Sequence, residues 1–378
     1  MVKNLPLAYI ELSKENLIHN IKQLKSVAKK GIKMSVAIKG NAYGHGQNQV
    51  AKIIEPYVDY LQVDSIEELK LLRKVTNKKT FVFGYIQKTD LLETIKLGCI
   101  LSIFSIEQLR NLEKVAGENK IKQEVHISVD AYLGREGFLK EDLGEIFTEI
   151  KKSRFIKLTG MYAHFANIED TNNFTHAKKQ IKRYEEALKL AQKFGFKKLD
   201  THISATSGLL VYEKNQGINS IVRLGVGAYG LWPSTQIEYL YKNKIELKPV
   251  LSWKTKIAQV KILPEGYTIG YGLTFMTYSV TKIAVIPQGY ADGFDRGFSN
   301  KGFVLIGGTR CKILGRVMMN MLVVDVSHLS NVRAEDEVVI IGAQGKEKIS
   351  VEEMASHIDT INYEITTRIS PLLPRVVI

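Results

Sequence analysis

Segments rich in β-branched and aromatic residues alternate with helical patterns over roughly the first 230 residues, and this alternation restricts the fold most strongly. Helical patterns such as Ile66–Val75, Glu107–Ala116 and Lys178–Phe194 separate the strand-like segments. Eight β/α units of this length favour a closed (β/α)₈ barrel over an open sheet. The predicted strands are Met34–Lys39, Tyr60–Val63, Thr80–Gly84, Ile100–Ile103, Glu124–Asp130, Leu158–Phe165, Leu199–Ser204 and Ser220–Val226.

The pattern changes after Pro233, where glycine-punctuated strand patterns replace the alternation. Only Val351–Ile358 has a helical pattern there, so we predict a second, mostly β domain. The expected division is a barrel at 12–238 and a β domain at 239–378 that also includes an extended N-terminal arm, 1–11. The predicted strands of the β domain are Leu251–Lys261, Thr281–Pro287, Gly302–Ile306, Cys311–Val317, Met321–Val326 and Glu337–Ile341.

Composition excludes several classes of protein. The net charge of +14 comes mainly from lysines scattered among glutamates, as in Lys178–Lys198, which indicates a basic solvated surface and no nucleic-acid partner. No apolar run approaches the roughly 18 residues of a membrane span, and the N terminus lacks a secretory-signal pattern. Cys99 and Cys311 are isolated, without zinc-site spacing or a disulfide framework, so we expect a cytoplasmic protein without a metal site.

The stretch MSVAIKGNAYGHG, Met34–Gly46, places a lysine where a strand ends. Alternation puts Lys39 on the same face as Ser35 and Ala37, and the glycines that follow predict a turn close to a ligand. Enclosure there would disfavour the ammonium form and make Lys39 a nucleophilic amine, although a lone lysine at a strand end is usually a surface residue.

The segment KGNAYGHG resembles the cofactor-lysine motif of the alanine racemase family, KANAYGHG, with Gly40 in place of alanine. This resemblance implies that Lys39 carries pyridoxal 5′-phosphate (PLP) as a Schiff base and that Tyr43 is a phosphate ligand. It further implies a homodimer whose catalytic tyrosine reaches across the interface.

Val222–Ser234, VRLGVGAYGLWPS, contains the dinucleotide pattern G-x-G-x-x-G, but Pro233 interrupts any helix and no βαβ unit follows. It resembles the family segment VRxGIxxYGLxPS, which implies that the N–H groups of Gly225 and Val226 face the PLP phosphate and that Arg223 meets the pyridine nitrogen. An arginine can only donate a hydrogen bond there, so the ring is a weak electron sink. That suits proton transfer better than decarboxylation or transamination.

Two histidine segments extend the resemblance. GMYAHFANIED is similar to the family's THFAxxxE and implies that His164 lies beside the cofactor ring, although an isolated histidine on an apolar strand is more often a core residue. THISATSG, around His202, matches HxANSAA more loosely. Thr206 stands where the family has a phosphate-binding serine, and its hydroxyl can still donate to phosphate.

The β domain carries four further matches. GYTIGYGLTF resembles GxxVSYGxTF, which implies that Tyr271 is the second catalytic acid/base. VIPQGYADGFDR, GRVMMNMLVVDV and TINYEITTRISPLLPRV imply three more roles. Tyr290 would line the site, the backbone of Met319 would face the substrate carboxylate, and Tyr363 would bind phosphate.

The segment VHISVDAYLGREGF departs from the family's HLKxDTGMxRLG while keeping Arg135, which would hold the substrate carboxylate or the cofactor phenolate. Ser128 replaces a lysine that many members carry carbamylated to position this arginine. Tyr132 replaces a glycine, and elsewhere Asn320 replaces an aspartate. We therefore expect Arg135 to lack its anionic support and the substrate preference to be relaxed.

We predict a PLP-dependent amino-acid racemase that acts on alanine, with Lys39 and Tyr271 exchanging the α-proton on opposite faces. A racemase for serine or a broader range is the first alternative. A related barrel-plus-β decarboxylase conflicts with Arg223, and a PLP-carrier protein would leave the β domain unexplained.

Overall fold

The computed structural model describes residues 5–213 and 218–378, so residues 1–4 of the predicted arm lie outside the described residues. The chain divides into two compact units. The barrel unit is Leu17–Gly40 with Val50–Lys248, and the β unit is Met1–Asn16 with Asn41–Gln49 and Pro249–Ile378.

Eight parallel strands form the sheet of the barrel unit; the first seven pair in chain order, and the first also pairs with the eighth. Between the seventh and eighth strands the N–H groups of Ser220 and Arg223 donate to the carbonyls of Thr201 and Ser204 at 2.9 and 3.0 Å. The predicted α/β barrel is confirmed. Its strands are Lys33–Ala37, Tyr60–Val63, Thr80–Val82, Ile100–Ile103, Gln123–Ser128, Ile156–Tyr162, Asp200–His202 and Ile221–Leu224.

The helices of the barrel unit bury one apolar face each. Ile106–Glu118 begins where the Ser105 hydroxyl accepts from the N–H of Gln108, and Leu109 and Leu112 lie on its buried face. The predicted helices are present with bounds shifted by one to three residues. Lys14–Ser26 precedes the first strand, and the short left-handed helical segment Lys39–Tyr43 follows it. The later α-helices are Gln47–Ile54, Ile66–Arg73, Leu91–Lys96, Ile106–Glu118, Leu143–Lys152, Thr175–Lys193, Thr206–Gly208 and Thr235–Tyr241.

The β unit contains two larger sheets and a hairpin. The segment predicted as one strand, Leu251–Lys261, is two strands, because the chain passes from one sheet to the other at Ile257 and Ala258. In chain order the strands are Tyr9–Leu12, Leu251–Lys256, Gln259–Leu263, Thr268–Ile269, Phe275–Met276, Thr281–Ile286, Phe303–Ile306, Thr309–Lys312, Leu322–Asp325, Glu337–Gln344, Glu347–Ile349 and Arg375–Val377.

The prediction of a single helix in the β domain is wrong. Val351–His357 is present, and Asn362–Thr367 is a second helix. Its polar buried residues, Asn362 and Thr366, hide the apolar periodicity by which a helix is recognised. Throughout the part of the chain that the structure describes, the helices are too short or too polar to cross a membrane.

The lysine motif continues into a left-handed turn. The φ angles of Gly40, Asn41, Ala42, Tyr43 and Gly44 are 59°, 53°, 55°, 52° and 83°. Left-handed conformations are costly for residues with a Cβ, so three consecutive ones need support from their surroundings. Within the β unit, Arg375 donates to the Gly44 carbonyl from Nε and Nη2 at 3.2 and 2.7 Å and holds the end of the turn.

We expect Gly44→Ala to lower the free energy of unfolding by about 2–4 kcal/mol, from left-handed strain plus overpacking. A Cβ at Gly44 would lie 1.8 Å from the carbonyl oxygen of Thr366. Gly98 is the matched control, because it also has a positive φ but no atom within 4 Å of a built Cβ. Gly98→Ala should cost only about 1 kcal/mol. Equal losses for the two variants in urea unfolding would contradict the steric argument.

Candidate active site

The carboxyl ends of the first two barrel strands place Lys39 beside Asp64. Lys39 Nζ donates to Asp64 Oδ1 at 3.0 Å, and the two side chains are 46% and 51% exposed. The barrel unit therefore does not by itself enclose the lysine as the sequence analysis supposed. Asp64 was missed because it belongs to no motif, and its importance follows from strand pairing alone.

Glu68 fixes the backbone around this ion pair. Its carboxylate accepts from the N–H of Gly40 at 2.7 Å and from the N–H of Asp64 at 2.7 Å. One side chain thereby ties the start of the lysine turn to the end of the second strand. Glu68 was also missed, since a glutamate in the first turn of a helix is ordinary on sequence grounds.

Arg223, on the eighth strand, is buried at the centre of a polar network. Its Nη1 donates to His202 Nδ1 at 2.5 Å, and its Nη2 donates to His164 Nδ1 at 3.0 Å. The carbonyls of Ala163 and His202 accept from the same guanidinium at 2.7 and 3.0 Å. The structure therefore brings Arg223 and His164 together as the sequence analysis expected of two cofactor-ring neighbours.

The hydrogen bonds of Arg223 determine the tautomers of two histidines. A guanidinium only donates, so His202 Nδ1 must be an acceptor and the ring proton must lie on Nε2. That Nε2 lies 2.8 Å from His126 Nδ1, which is then an acceptor in turn. The hydrogen bonds therefore all run in one direction, from Arg223 to His202 and from His202 to His126, and both imidazoles are neutral.

Burial is the main reason that these imidazoles stay neutral. It lowers the pKa of His126 and of His164 to about 3 and that of His202 well below its usual range. The Arg223 charge lowers all three pKa values further. Burial also lowers the pKa of Arg223 to about 10, which leaves the guanidinium charged at neutral pH.

A small polar cradle lies where the seventh and eighth strands end. The N–H of Gly225 donates to Thr206 Oγ1 at 3.1 Å, so the Thr206 hydroxyl keeps its own hydrogen to donate elsewhere. Val226 begins the 3₁₀ turn Val226–Tyr229. A Cβ at Gly227 would lie 2.5 Å from Thr206 Cγ2, so glycine is required beside this hydroxyl. The cradle gathers the predicted phosphate ligands of the barrel unit.

The expectation that Arg135 lacks an anionic partner is wrong. Arg135 Nε donates to Glu136 Oε2 at 2.5 Å and Nη2 donates to Oε1 at 2.8 Å. The carboxylate comes from the next residue in the chain and not from position 128. Ser128 Oγ instead donates to the Glu136 carbonyl at 3.4 Å. Tyr132 and Asn320 still depart from the family pattern, so the relaxed substrate preference stays a prediction.

The β unit holds the other predicted residues in three places. The rings of Tyr43 and Tyr363 meet edge to face with centroids 6.0 Å apart. The N–H of Tyr290 donates to the Met318 carbonyl at 3.1 Å, which places Tyr290 next to Met319. Tyr271 lies between the strands of the hairpin Thr268–Met276, with 72% of its surface exposed.

Two family models match the chain. The model described as the alanine racemase N-terminal domain matches residues 12–233, and the model described as the alanine racemase C-terminal domain matches residues 250–377. An alanine racemase of Leptospira interrogans is 34% identical over 381 residues, covering 98% of this chain and 96% of the relative. Alanine racemase 1 of Caldanaerobacter subterraneus is 35% identical, with coverages of 97% and 94%.

Solved structures agree in fold. An alanine racemase of Clostridium difficile has a TM-score of 0.92 and 30% identity, and the match covers 100% of this chain and 97% of that one. A Bacillus anthracis alanine racemase with bound L-Ala-P has a TM-score of 0.93 and 30% identity, with coverages of 100% and 96%. The similarity thus extends over both units.

We expect the buried histidines to make the protein less stable in acid. The folded pKa of His126, about 3, lies below the unfolded value of about 6.5, so only the unfolded chain takes up this proton between those limits. Stability is then complete above about pH 6.5 and falls as the pH decreases. His126→Gln should flatten that fall by up to about 1.4 kcal/mol per pH unit. Urea unfolding at pH 8, where the histidine is neutral in both states, measures the packing loss of the variant alone. If the free energies of unfolding of the wild type and of His126→Gln ran parallel from pH 8 to pH 4.5, the lowered pKa of His126 would be contradicted.

Proposed function

Because the chain belongs to the alanine racemase family, we propose that it interconverts L- and D-alanine with PLP as cofactor. The observation that carries the proposal is Arg223, a group that can only donate, which neutral imidazoles hold where the barrel strands end. We propose that the substrate is a free amino acid in the cytoplasm and that the protein has no nucleic-acid or membrane partner.

The residues present fit PLP. Lys39 offers an amine, and the Thr206 hydroxyl and the N–H of Val226 offer donors to a phosphate, which the N–H of Gly225 would join by exchanging Thr206 Oγ1 for it. The Nη atoms of Arg223 already donate within the barrel, so its Nε–H would donate to a ring nitrogen. His164 would lie beside the ring, and Tyr43 with Tyr363 would complete the phosphate site. When bound there, PLP would withdraw electrons from the substrate's α-carbon and make the α-proton acidic.

The chain's own residues would then move one proton. Lys39 Nζ would take or give the α-proton on one face of the substrate, and Tyr271 Oη would do so on the other. Arg135 would hold the substrate carboxylate or the cofactor phenolate, with the Met319 backbone facing the carboxylate and Tyr290 lining the site. Two opposed acid/bases invert the α-carbon without rotating the substrate.

Arg223 favours racemisation over decarboxylation. A carboxylate beside the ring nitrogen would keep that nitrogen protonated, whereas Arg223 can only donate to an unprotonated one. The two imidazoles that accept from Arg223 are themselves neutral and leave its charge in place. The electron sink is therefore weak, which limits reactions that need a long-lived carbanion.

Incubation of the PLP-loaded protein with L-alanine should yield D-alanine, measured by chiral chromatography. We expect L-alanine to be the preferred substrate, in keeping with its relatives, and L-serine to be converted more slowly. Lys39→Ala should reduce the rate by at least about 10³-fold because it removes both the cofactor's anchor and one acid/base. Loss of carbon dioxide from the substrate, or no reaction at all, would overturn the proposal.

We also propose that the active site forms in a homodimer. Large apolar side chains around Tyr271 are exposed, at 50% for Tyr267, 69% for Leu273 and 82% for Tyr278. Exposed apolar surface of this kind favours association. A two-fold pair would let the β unit of each copy supply Tyr271 to the other copy's barrel, giving two equivalent sites.

Mixed dimers test the shared site. Lys39→Ala and Tyr271→Phe homodimers should each be nearly inactive. If Tyr271 serves the other copy, a mixed dimer has one site with both lesions and one with neither. Random mixing makes about half of the dimers mixed, so co-refolding should restore roughly a quarter of wild-type activity. Restoration of nothing would mean that each chain uses its own Tyr271.

A further inference from the structure

Glu136, the residue that follows Arg135, has a charged side chain to which no family motif assigns a role. The pair is bidentate, with Arg135 Nε and Nη2 both donating to the same carboxylate at 2.5 and 2.8 Å. A fork of this kind fixes the plane of a guanidinium as well as its position. With that edge occupied, both N–H groups of Nη1 and the second N–H of Nη2 remain for another anion.

Hydrogen bonds hold the backbone of the loop that carries the Arg135–Glu136 pair. The N–H of Phe138 donates to the Ser128 carbonyl, and the N–H of Asp130 donates to the Phe138 carbonyl, both at 2.9 Å. Asp130 Oδ1 accepts from the N–H groups of Leu133 and Gly134. The backbone at positions 135 and 136 is therefore anchored on both sides, and the freedom that remains is that of the side chains.

The pair also acts on the centre of the site. Burial is the main cause of the lowered pKa of Arg223, and the Arg135 charge lowers that pKa further while the Glu136 charge raises it. The Arg135 charge likewise lowers the pKa of His164. The Arg135 charge thus reaches both residues proposed to contact the cofactor ring, and the Glu136 charge reaches Arg223, which distinguishes this pair from a surface ion pair elsewhere on the barrel.

We propose that Glu136 is a positioning residue, which orients Arg135 so that its remaining N–H groups face the substrate carboxylate or the cofactor phenolate. This inference rests on the proposed function. An exposed arginine loses substantial side-chain entropy when it is ordered, and a partner that orders it in the free protein removes that cost from binding. Competition would have the opposite effect on binding, since Glu136 and the ligand are both anions that can bind the same guanidinium.

The sign of the change in KM separates positioning from competition. Glu136→Gln keeps the shape of the side chain and removes its charge, so we expect KM for alanine to rise roughly 5- to 30-fold with a smaller change in kcat. Glu145→Gln is the matched control, because Glu145 pairs with Arg110 at 3.1 Å on an exposed helix surface, and it should leave KM unchanged. An unchanged or lowered KM in Glu136→Gln would overturn the proposal.

A double-mutant cycle tests whether Glu136 acts through Arg135. Arg135→Lys removes the forked geometry, so adding Glu136→Gln to it should change KM little further. Independent, multiplying effects would overturn the proposal. The rate of phenylglyoxal labelling at Arg135, located by peptide mapping, needs no activity and should increase in Glu136→Gln. If the wild type fails to racemise alanine, the proposed function fails, and an unchanged labelling rate would separately show that the pair does not hold Arg135.

Discussion

Burial of the Arg223 guanidinium is the constraint on which the barrel unit depends. An unpaired buried charge is very costly, so its donors must be satisfied within the barrel. The acceptors are the neutral rings of His164 and His202 and the carbonyls of Ala163, His202 and Ile203, where the sixth and seventh strands end. Those carbonyls converge only if these strands and the eighth keep their register. The aromatic faces of Phe83 and Tyr162, 5.7 and 5.2 Å from the guanidinium carbon, complete its surroundings.

The same network explains how a barrel interior that holds the charge of Arg223 can also contain three buried histidines. Each imidazole can accept one hydrogen bond and donate another while it remains neutral. Protonation of His202 would remove the acceptor that Arg223 needs and place two cations 2.5 Å apart. Burial and, after it, the arginine charge therefore keep the histidines neutral, and the neutral histidines leave the arginine charged. A carboxylate in their place would neutralise that charge and could not pass a directional chain of hydrogen bonds on to His126.

The sequence predicted the elements whose signal is local and failed where the signal depends on strand neighbours. Eight alternating units and the lysine turn follow from periodicity and glycine, and both are present. Asp64 and Glu68 have no distinguishing pattern, because their role arises when the first two barrel strands pair. Arg135 was expected to lack support because position 128 was compared with the family, whereas its partner is Glu136. Leu251–Lys261 was taken as one strand, because an apolar run does not reveal a change of sheet.

Charged side chains are paired differently in the interior and at the mouth of the barrel, because solvent screens charges at the mouth and not in the interior. At the exposed end, Lys39 and Arg135 are paired with carboxylates, where solvent screening limits an ion pair to about 1 kcal/mol. The single hydrogen bond between Lys39 and Asp64 can be exchanged for a ligand at small cost, whereas the fork between Arg135 and Glu136 fixes the guanidinium. Arg223 is instead surrounded by neutral acceptors, whose hydrogen bonds do not cancel its charge. Lys39, which must leave Asp64 in the proposed reaction, is therefore weakly held, whereas Arg223, which must stay fixed, is held by five hydrogen bonds from its Nη atoms.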